Sequence, residues 1–480
     1  MPKVAATVVV DTRPLWIILI ARSRRMAMLL FGAAIYWTIS ELPPPAGLSA
    51  SAQGALAVFG LCIFYWVFDV LPLMITSLLA IVLLPATGVM SSKDAYAQFG
   101  NEAVFFILGA FILAAAMMKS GLSARIALVI LRRFGHQPAT MLRGIFLLNG
   151  AMSFVMSEHA VAAMTFPIIV EIVTALHLPR GRSNYAKALF LAMAWGTSIG
   201  GLATLLGGAR APLAIGILRE ITGETYSFAE WAAINVPLAL LLFAVGWAVL
   251  RLWFPIDLVD ITAAERAVEE RLQRSGRMTL QELSIGTVMV VTVIAWITLG
   301  EDFGLANIAL AAVVVLFAVG VVQWRDVERY VNWGLILMYG GAICLGSALN
   351  KSGAAGWVAQ HTISQWAGGS LTVVMMISLA TVALTEVMSN SAAVAIVMPV
   401  SLAVAQQFGI DPRAMAPLVA VPAGMAFTLP IGTPANAIAF SSGYLRLPDM
   451  MWPGLLLNVC AYVIFNLLVF FYWPLLGIKV

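Results

Sequence analysis

The sequence predicts an all-α, polytopic membrane protein built from two related halves. Three observations carry this prediction. Hydrophobic residues make up 61% of the 480 positions against 10% charged, apolar stretches recur from end to end, and a set of small and polar residues in the first half returns at a fixed offset in the second. A soluble globular chain carries roughly 25% charge because its surface must face water. With a mean hydropathy of +0.96 this chain cannot cover itself with polar groups. Soluble enzyme, disordered tail and nucleic-acid binder are all excluded as readings of the whole chain.

In chain order, the first 26 residues hold Lys3, Arg13, Arg22, Arg24 and Arg25 against Asp11, and an apolar run from Met26 to Ile39 follows. A secretory signal has this layout. In a chain that is apolar throughout, the segment reads instead as a first span whose basic side stays in the cytoplasm, and the net charge of +4, gathered in short basic clusters, fits the same rule. Apolar stretches then cover about 55–90, 103–118, 141–178, 187–218, 231–254, 284–322, 332–349, 369–407, 414–442 and 451–478. At about 20 residues per crossing they give about 10 to 12 spans. Gly and Pro interrupt many of these runs, so some helices are expected to be broken. The one extended polar segment is 255–283, where Thr262 and Glu265 have the spacing of a capping box and predict a surface helix. Cys62, Cys344 and Cys460 each sit in an apolar run and read as small buried residues, with no disulfide or metal framework.

The repeat is found at an offset of 232. Gly109 to Leu113 recurs as Gly341 to Leu345, Lys119-Ser120-Gly121 as Lys351-Ser352-Gly353, Ser157 to Ala160 faces Ser389 to Ala392, and Pro167 faces Pro399. After a seven-residue deletion, Leu206 to Ala211 aligns with Ile431 to Asn436 at an offset of 225. Residues 119–187 contain eight Lys and Arg, while the equivalent window 351–419 contains two. Because basic residues accumulate on the cytoplasmic side, the imbalance predicts that the halves are inserted upside down relative to each other. Secondary transporters are commonly built this way, with a site at the midplane where the repeats meet. The expected organisation is 1–100 for an N-terminal cytoplasmic segment and first scaffold spans, 101–254 for repeat 1, 255–283 for a polar linker, 284–332 for second scaffold spans, and 333–480 for repeat 2.

Ionisable residues inside apolar stretches are functional candidates by default, because burying them unpaired is costly. Asp69, Glu158, His159, Glu171, Arg210 and Glu386 meet that criterion; for Asp69, Glu171 and Glu386 structural pairing or interfacial snorkelling is the stronger reading. Met152 to Ala163 and Thr385 to Ala393 are rich in hydroxyls and small residues. A helix interrupted there can offer amides to an anion and carbonyls to a cation. Close helix packing by Ser and Ala is the competing explanation. Two copies at equal offset, each followed by a Gly-rich turn, favour binding. An intramembrane hydrolase using Ser157, Glu158 and His159 is disfavoured, since neighbours on a helix point about 100° apart and cannot converge.

On these residues the chain resembles the divalent anion:sodium symporter family. The resemblance runs over nearly the whole chain, from Trp66 to Ser77 with its acidic Asp69, Leu71-Pro72 and Thr76-Ser77, through Leu108 to Leu113 and Lys119 to Leu122, to the signature Ser389-Asn390-Ser391 and the turn Gly432-Thr433-Pro434-Ala435-Asn436. It implies a homodimer whose protomers each have a scaffold and a mobile transport region with two re-entrant hairpins, moving dianions by an elevator motion. It implies substrate contacts from Ser389, Asn390, Ser391, Thr433 and Pro434, and a sodium site from Thr385, Asn390 and the carbonyls of Met388 and Gly432. The first half departs from the pattern. Ser153, Ser157 and Gly207 stand where a first sodium site would want them, but Glu158 and His159 take the places of the signature Asn and Thr. Gly207-Gly208-Ala209-Arg210-Ala211 replaces the family's Gly-Thr-Pro-Pro-Asn.

A bare Glu158 beside a dianion would repel it. Three arrangements are open: an ion pair with Arg210 that puts a fixed cation in the half-site, a protonatable pair of Glu158 and His159, or Glu158 as a direct sodium ligand. The expected protein is a multi-pass transporter of the cell's inner membrane for small dianions, cation-coupled or exchanging, with dicarboxylates as first choice of substrate. Sulfate or another oxyanion is the alternative substrate, and a passive anion channel the alternative class. Membrane lipid, sodium or protons, and a second copy of the chain are the expected partners; enzyme activity, cofactor and nucleic acid are not expected.

Overall fold

The computed structural model describes residues 15–361 and 368–480, with side chains from residue 23 onward. Every regular element among them is helical. Ten helices are long and apolar enough to cross a membrane, from Ala50–Val67 to Leu447–Phe471, and two shorter apolar helices, Leu73–Ala86 and Leu305–Ala318, accompany them. The N-terminal apolar run belongs to one helix, Leu15–Glu41.

The element boundaries follow the repeat seen in the sequence. The first half runs Glu102–Ser120, Leu122–Phe134, Pro138–Ser153, Glu158–Ala175, Asn184–Ala203, Arg210–Thr222 and Phe228–Trp253; the second runs Trp333–Lys351, Ala354–His361, Ser370–Val387, Asn390–Phe408, Pro412–Ala420, Pro434–Ser441 and Leu447–Phe471. Three successive starts, 122 and 354, 138 and 370, 158 and 390, are each 232 apart. The Lys-Ser-Gly motif is a helix stop in both copies: Gly121 and Gly353 have φ of 83° and 81°, a left-handed conformation that glycine adopts without strain and that turns the chain into the next helix.

One pair of elements differs most. Asn184–Ala203 is a single helix of 20 residues, buried along its whole length. Its counterpart stops at Ala420, continues as a short 3-10 turn over Pro422–Gly424, and runs irregularly to Thr433. Pro422 and Pro430 lack the N–H of a continuing helix, and with Pro417 they make this stretch a poorer helix than its counterpart, which has no proline. The buried helix lies at the centre of the bundle. By contrast, Leu280–Phe303 is mostly exposed, with Val290, Val291, Ile294 and Ile297 on its outer face, as suits a helix that meets lipid.

The polar segment holds the expected helix, Thr262–Arg274, but with a different cap. Thr262 is already its first residue, so the proposed Thr262–Glu265 box does not form. Asp260 takes its place, accepting from the Thr262 N–H at 2.9 Å and its hydroxyl at 2.6 Å. Those two bonds hold the exposed Asp260 carboxyl below the usual carboxylate range.

Candidate functional site

The breaks between Pro138–Ser153 and Glu158–Ala175, and between Ser370–Val387 and Asn390–Phe408, are built alike. Ser157 and Ser389 cap the following helices with nearly the same backbone, φ −64° and ψ 144° against φ −67° and ψ 144°. Their hydroxyls accept from Ala160 N at 3.4 Å and Ala392 N at 3.3 Å. A serine in this position satisfies an N–H that the helix leaves free, which is why both helices begin there. The two tips meet: the Asn390 side-chain amide lies 3.4 Å from Glu158 Oε1, bringing together equivalent positions of the two halves.

At the first tip, Glu158 and Arg210 form an ion pair, Nη1 to Oε1 at 3.1 Å, with side chains 8% and 2% exposed. Of the three arrangements open for Glu158, the structure holds this one. The Gly-rich turn makes the space. A methyl on Gly207 would lie 2.3 Å from Gly201 Cα, on Gly208 2.3 Å from Arg210 Nη1, and on Gly424 2.3 Å from Arg210 Nε. Only bare backbone admits the guanidinium to this position. The turn itself is pinned by Thr204 Oγ1, which donates to Phe154 O at 2.7 Å, by Glu158 N, which donates to Gly207 O at 2.9 Å, and by the Tyr339 hydroxyl, which donates to Ala209 O. Gly207's carbonyl is thereby engaged by backbone, and Ser153 Oγ is buried with no hydrogen-bond partner.

At the second tip no charged side chain takes the place that Arg210 has at the first. Thr385 Oγ1 lies 2.6 Å from Ala423 O and 2.9 Å from Asn390 Oδ1. With the Asn390 amide turned over, its nitrogen donates to Thr385 Oγ1 at 2.9 Å, Ala423 O at 3.1 Å and Gly432 O at 2.7 Å. A hydroxyl and two carbonyls therefore surround the Asn390 amide, which can present either its nitrogen or a fourth oxygen to them. Three oxygens thus lie within 3.1 Å of one terminal atom of the Asn390 amide, and oxygen donors are the kind a hard cation such as sodium takes. Thr385, Asn390 and Gly432 are brought together as the sequence suggested, with Met388 in the adjoining extended break at φ −144° and ψ 175°. Ala423's carbonyl is the member that sequence reasoning missed. Nothing distinguishes one alanine among many in the sequence; its role follows from where Pro422 ends the helix.

Both tips line one chamber of about 550 Å³. Ser157, Glu158, His159, Arg210, Ser389, Asn390, Ser391, Thr433 and Pro434 all border it. So do Arg329, Tyr330 and Asn332, which the sequence did not single out. Arg329 ends the short Trp324–Tyr330 helix; in sequence it cannot be told from any loop cation. Four helices start at this chamber: Glu158–Ala175, Arg210–Thr222, Asn390–Phe408 and Pro434–Ser441, the last capped by the Thr433 hydroxyl, which accepts from Asn436 N at 3.1 Å. Helix N-termini present free N–H groups and the positive end of the peptide dipoles, so their convergence favours an anion.

Asp69, Glu171 and Glu386 lie outside the chamber wall. Asp69 occupies an exposed turn at φ 47°. Glu171 pairs with Arg271 of the linker helix at 2.6 Å. Glu386 accepts from Thr428 N at 3.0 Å and Leu429 N at 2.9 Å, clamping the irregular segment beside the second tip.

Helices broken at mid-bundle, a chamber between them and, among the described residues, ten helices of spanning length are the build of a multi-pass membrane transporter. The chain belongs to the family of the sodium:sulfate symporter transmembrane region, matched over residues 23–479. It is 28% identical to the sodium-dependent dicarboxylate transporter SdcS of Staphylococcus saprophyticus over 94% of this chain and 92% of the relative. The SdcS protein of Staphylococcus aureus is also 28% identical, over 87% and 85% of the two chains. Among solved structures, the fold is similar to MtrF of Neisseria gonorrhoeae, with TM-score 0.56 and 14% identity over 93% of this chain and 94% of that one. It is also similar to the Alcanivorax borkumensis YdaH transporter, with TM-score 0.52 and 16% identity over 79% and 88%.

Proposed function

We propose that this protein is a secondary active transporter of small dianions, with four-carbon dicarboxylates as substrate and sodium as the coupling ion at the second tip. The observation that carries the reading is the convergence of four helix N-termini on one chamber directly beside the Thr385, Asn390, Ala423 and Gly432 oxygens. A sodium ion there turns the Asn390 carbonyl toward itself and the amide N–H groups toward Glu158 and the chamber, where one of them can donate to the substrate, so each ligand improves the site of the other. Ser389, Ser391 and Thr433 supply hydroxyls to one carboxylate, and the SdcS relatives, sodium-dependent dicarboxylate transporters, support the choice of substrate and ion. The two halves, 101–254 and 333–480, act as inverted repeats with re-entrant tips, joined by the 255–283 linker. The eight-to-two imbalance of basic residues supports that inversion. The tips and the helices behind them move as the transport region of an elevator, against a scaffold through which two copies associate.

Purified protein in lipid vesicles tests this with labelled succinate and labelled sulfate, with and without an inward sodium gradient. Saturable, sodium-stimulated succinate uptake and trans-stimulated exchange of label are expected. Uptake of sulfate alone would reassign the substrate, and non-saturating flux would make the protein a channel.

A further inference from the structure

We infer that Arg210 is a built-in cation that takes the place of one transported cation, so that each dianion crosses with a single sodium ion and the cycle moves net negative charge. The inference rests on the sodium-coupled reading of the second tip and concerns the first.

The repeat makes the comparison residue by residue. Thr385, Asn390 and Gly432 around the second tip correspond to Ser153, Glu158 and Gly207 around the first, at offsets of 232, 232 and 225. In the second copy the oxygens surround an amide and there is no fixed cation, because the position equivalent to Arg210 is Ala435. In the first copy the guanidinium enters the corresponding space. A methyl on Gly201 would lie 3.3 Å from Ser153 Oγ and 3.4 Å from Arg210 Nη2, so hydroxyl and guanidinium border one small void. Ser153 Oγ, Glu158 Oε2 and Arg210 Nη2 are each buried without a hydrogen-bond partner, and Glu158 Oε1 holds Nη1 at 3.1 Å. The Gly207 carbonyl is already bonded to Glu158 N. The guanidinium, held by Glu158, fills the space a sodium ion would need, and because the pair is neutral as a whole no net negative charge draws a second cation in.

Charge accounting follows. Fixed charges move in and out with the protein and cancel over a full cycle, so the net charge moved is that of substrate and coupling ions alone. A dianion with one sodium carries one net negative charge inward. A tenfold inward sodium gradient then sustains roughly tenfold accumulation at zero potential, and an inside-negative potential of about 60 mV removes it. Two sodium ions per dianion would give roughly hundredfold accumulation indifferent to potential.

The test uses the unmodified protein in vesicles, with labelled succinate, a sodium titration, and potentials of either sign set by potassium and valinomycin. Hyperbolic sodium dependence and faster uptake with the interior positive are expected. A sigmoidal sodium dependence with a Hill coefficient near two, together with uptake indifferent to potential or favoured by a negative interior, would overturn the inference and leave sodium-coupled transport standing. Dianion uptake that ignores sodium would remove both.

Discussion

The two tips of this molecule solve one problem in opposite ways. Each ends a helix, caps the next with a serine of the same backbone conformation, and packs against an irregular turn near the centre of the bundle. The second puts no charged side chain in the place of Arg210 and gathers oxygens around Asn390. The first buries Glu158 against Arg210. Backbone architecture therefore fixes where a site lies, while two side chains and a few glycines decide whether it is filled from solution or by the chain itself. Glycine is as much part of the substitution as arginine, since any side chain at 208 or 424 would occupy the space of the guanidinium.

Separating the pair is the strongest way to break this comparison. Glu158→Gln or Arg210→Gln leaves one charge buried without its partner, which costs about 3–5 kcal/mol. The double change Glu158→Asn with Arg210→Pro removes both charges, returns two residues of the family pattern, and places proline at the first position of the Arg210–Thr222 helix, where its missing N–H does no harm. Thermal melts in detergent should show the double variant more stable than either single. Destabilisations that merely add would mean that the pair is not a coupled unit.

Much of this contrast was legible in the sequence. Equal spacing of Ser, Lys, Gly and Pro exposed the two copies, and Glu158, His159 and Arg210 stood out because charge is rare in apolar stretches. Backbone contributions were not legible: Ala423 takes part through its carbonyl, and Gly424 through the absence of a side chain, and neither property depends on residue chemistry that a motif records. The linker helix was foreseen but its cap was misplaced, because Asp260 and Thr262 are both good capping residues and only the chain's path decides between them. Arg329 and Tyr330 reach the chamber from a segment distant in sequence, which no local pattern reveals.

Two smaller changes probe the tips separately. Gly424→Ala puts a methyl 2.3 Å from Arg210 Nε and 2.5 Å from Leu202 Cδ2. Because the guanidinium is buried and cannot step aside, the expected cost is about 3 kcal/mol, the upper end of overpacking, and in melts Gly424→Ala should cost less when added to Arg210→Ala than when added to the unmodified protein. Thr385→Val acts on the second tip. It keeps the volume but removes the hydroxyl that bonds Ala423 O at 2.6 Å, leaving a buried carbonyl short of a donor at about 2 kcal/mol. If the oxygens there hold sodium, the same variant raises the sodium concentration for half-maximal uptake. An unchanged sodium curve would remove Thr385 from the cation site.

The last change should do least, and it isolates what burial contributes to the first tip. Glu171 and Arg271 make a shorter contact than Glu158 and Arg210, 2.6 Å against 3.1 Å, but their side chains are 31–33% exposed. Distance alone would rank the pair that joins Glu158–Ala175 to the linker helix as the stronger one. Solvent reverses that order, because water and salt screen both ions and each remains hydrated when the other is removed. Glu171→Gln should cost less than about 1 kcal/mol, and raising the salt concentration should shrink the difference from the unmodified protein further, whereas salt should leave the deficit of Glu158→Gln nearly unchanged. Succinate uptake by Glu171→Gln should match the unmodified protein. A loss at Glu171 as large as that at Glu158 would mean that the linker contact, not burial of charge at the tip, holds the first half in place.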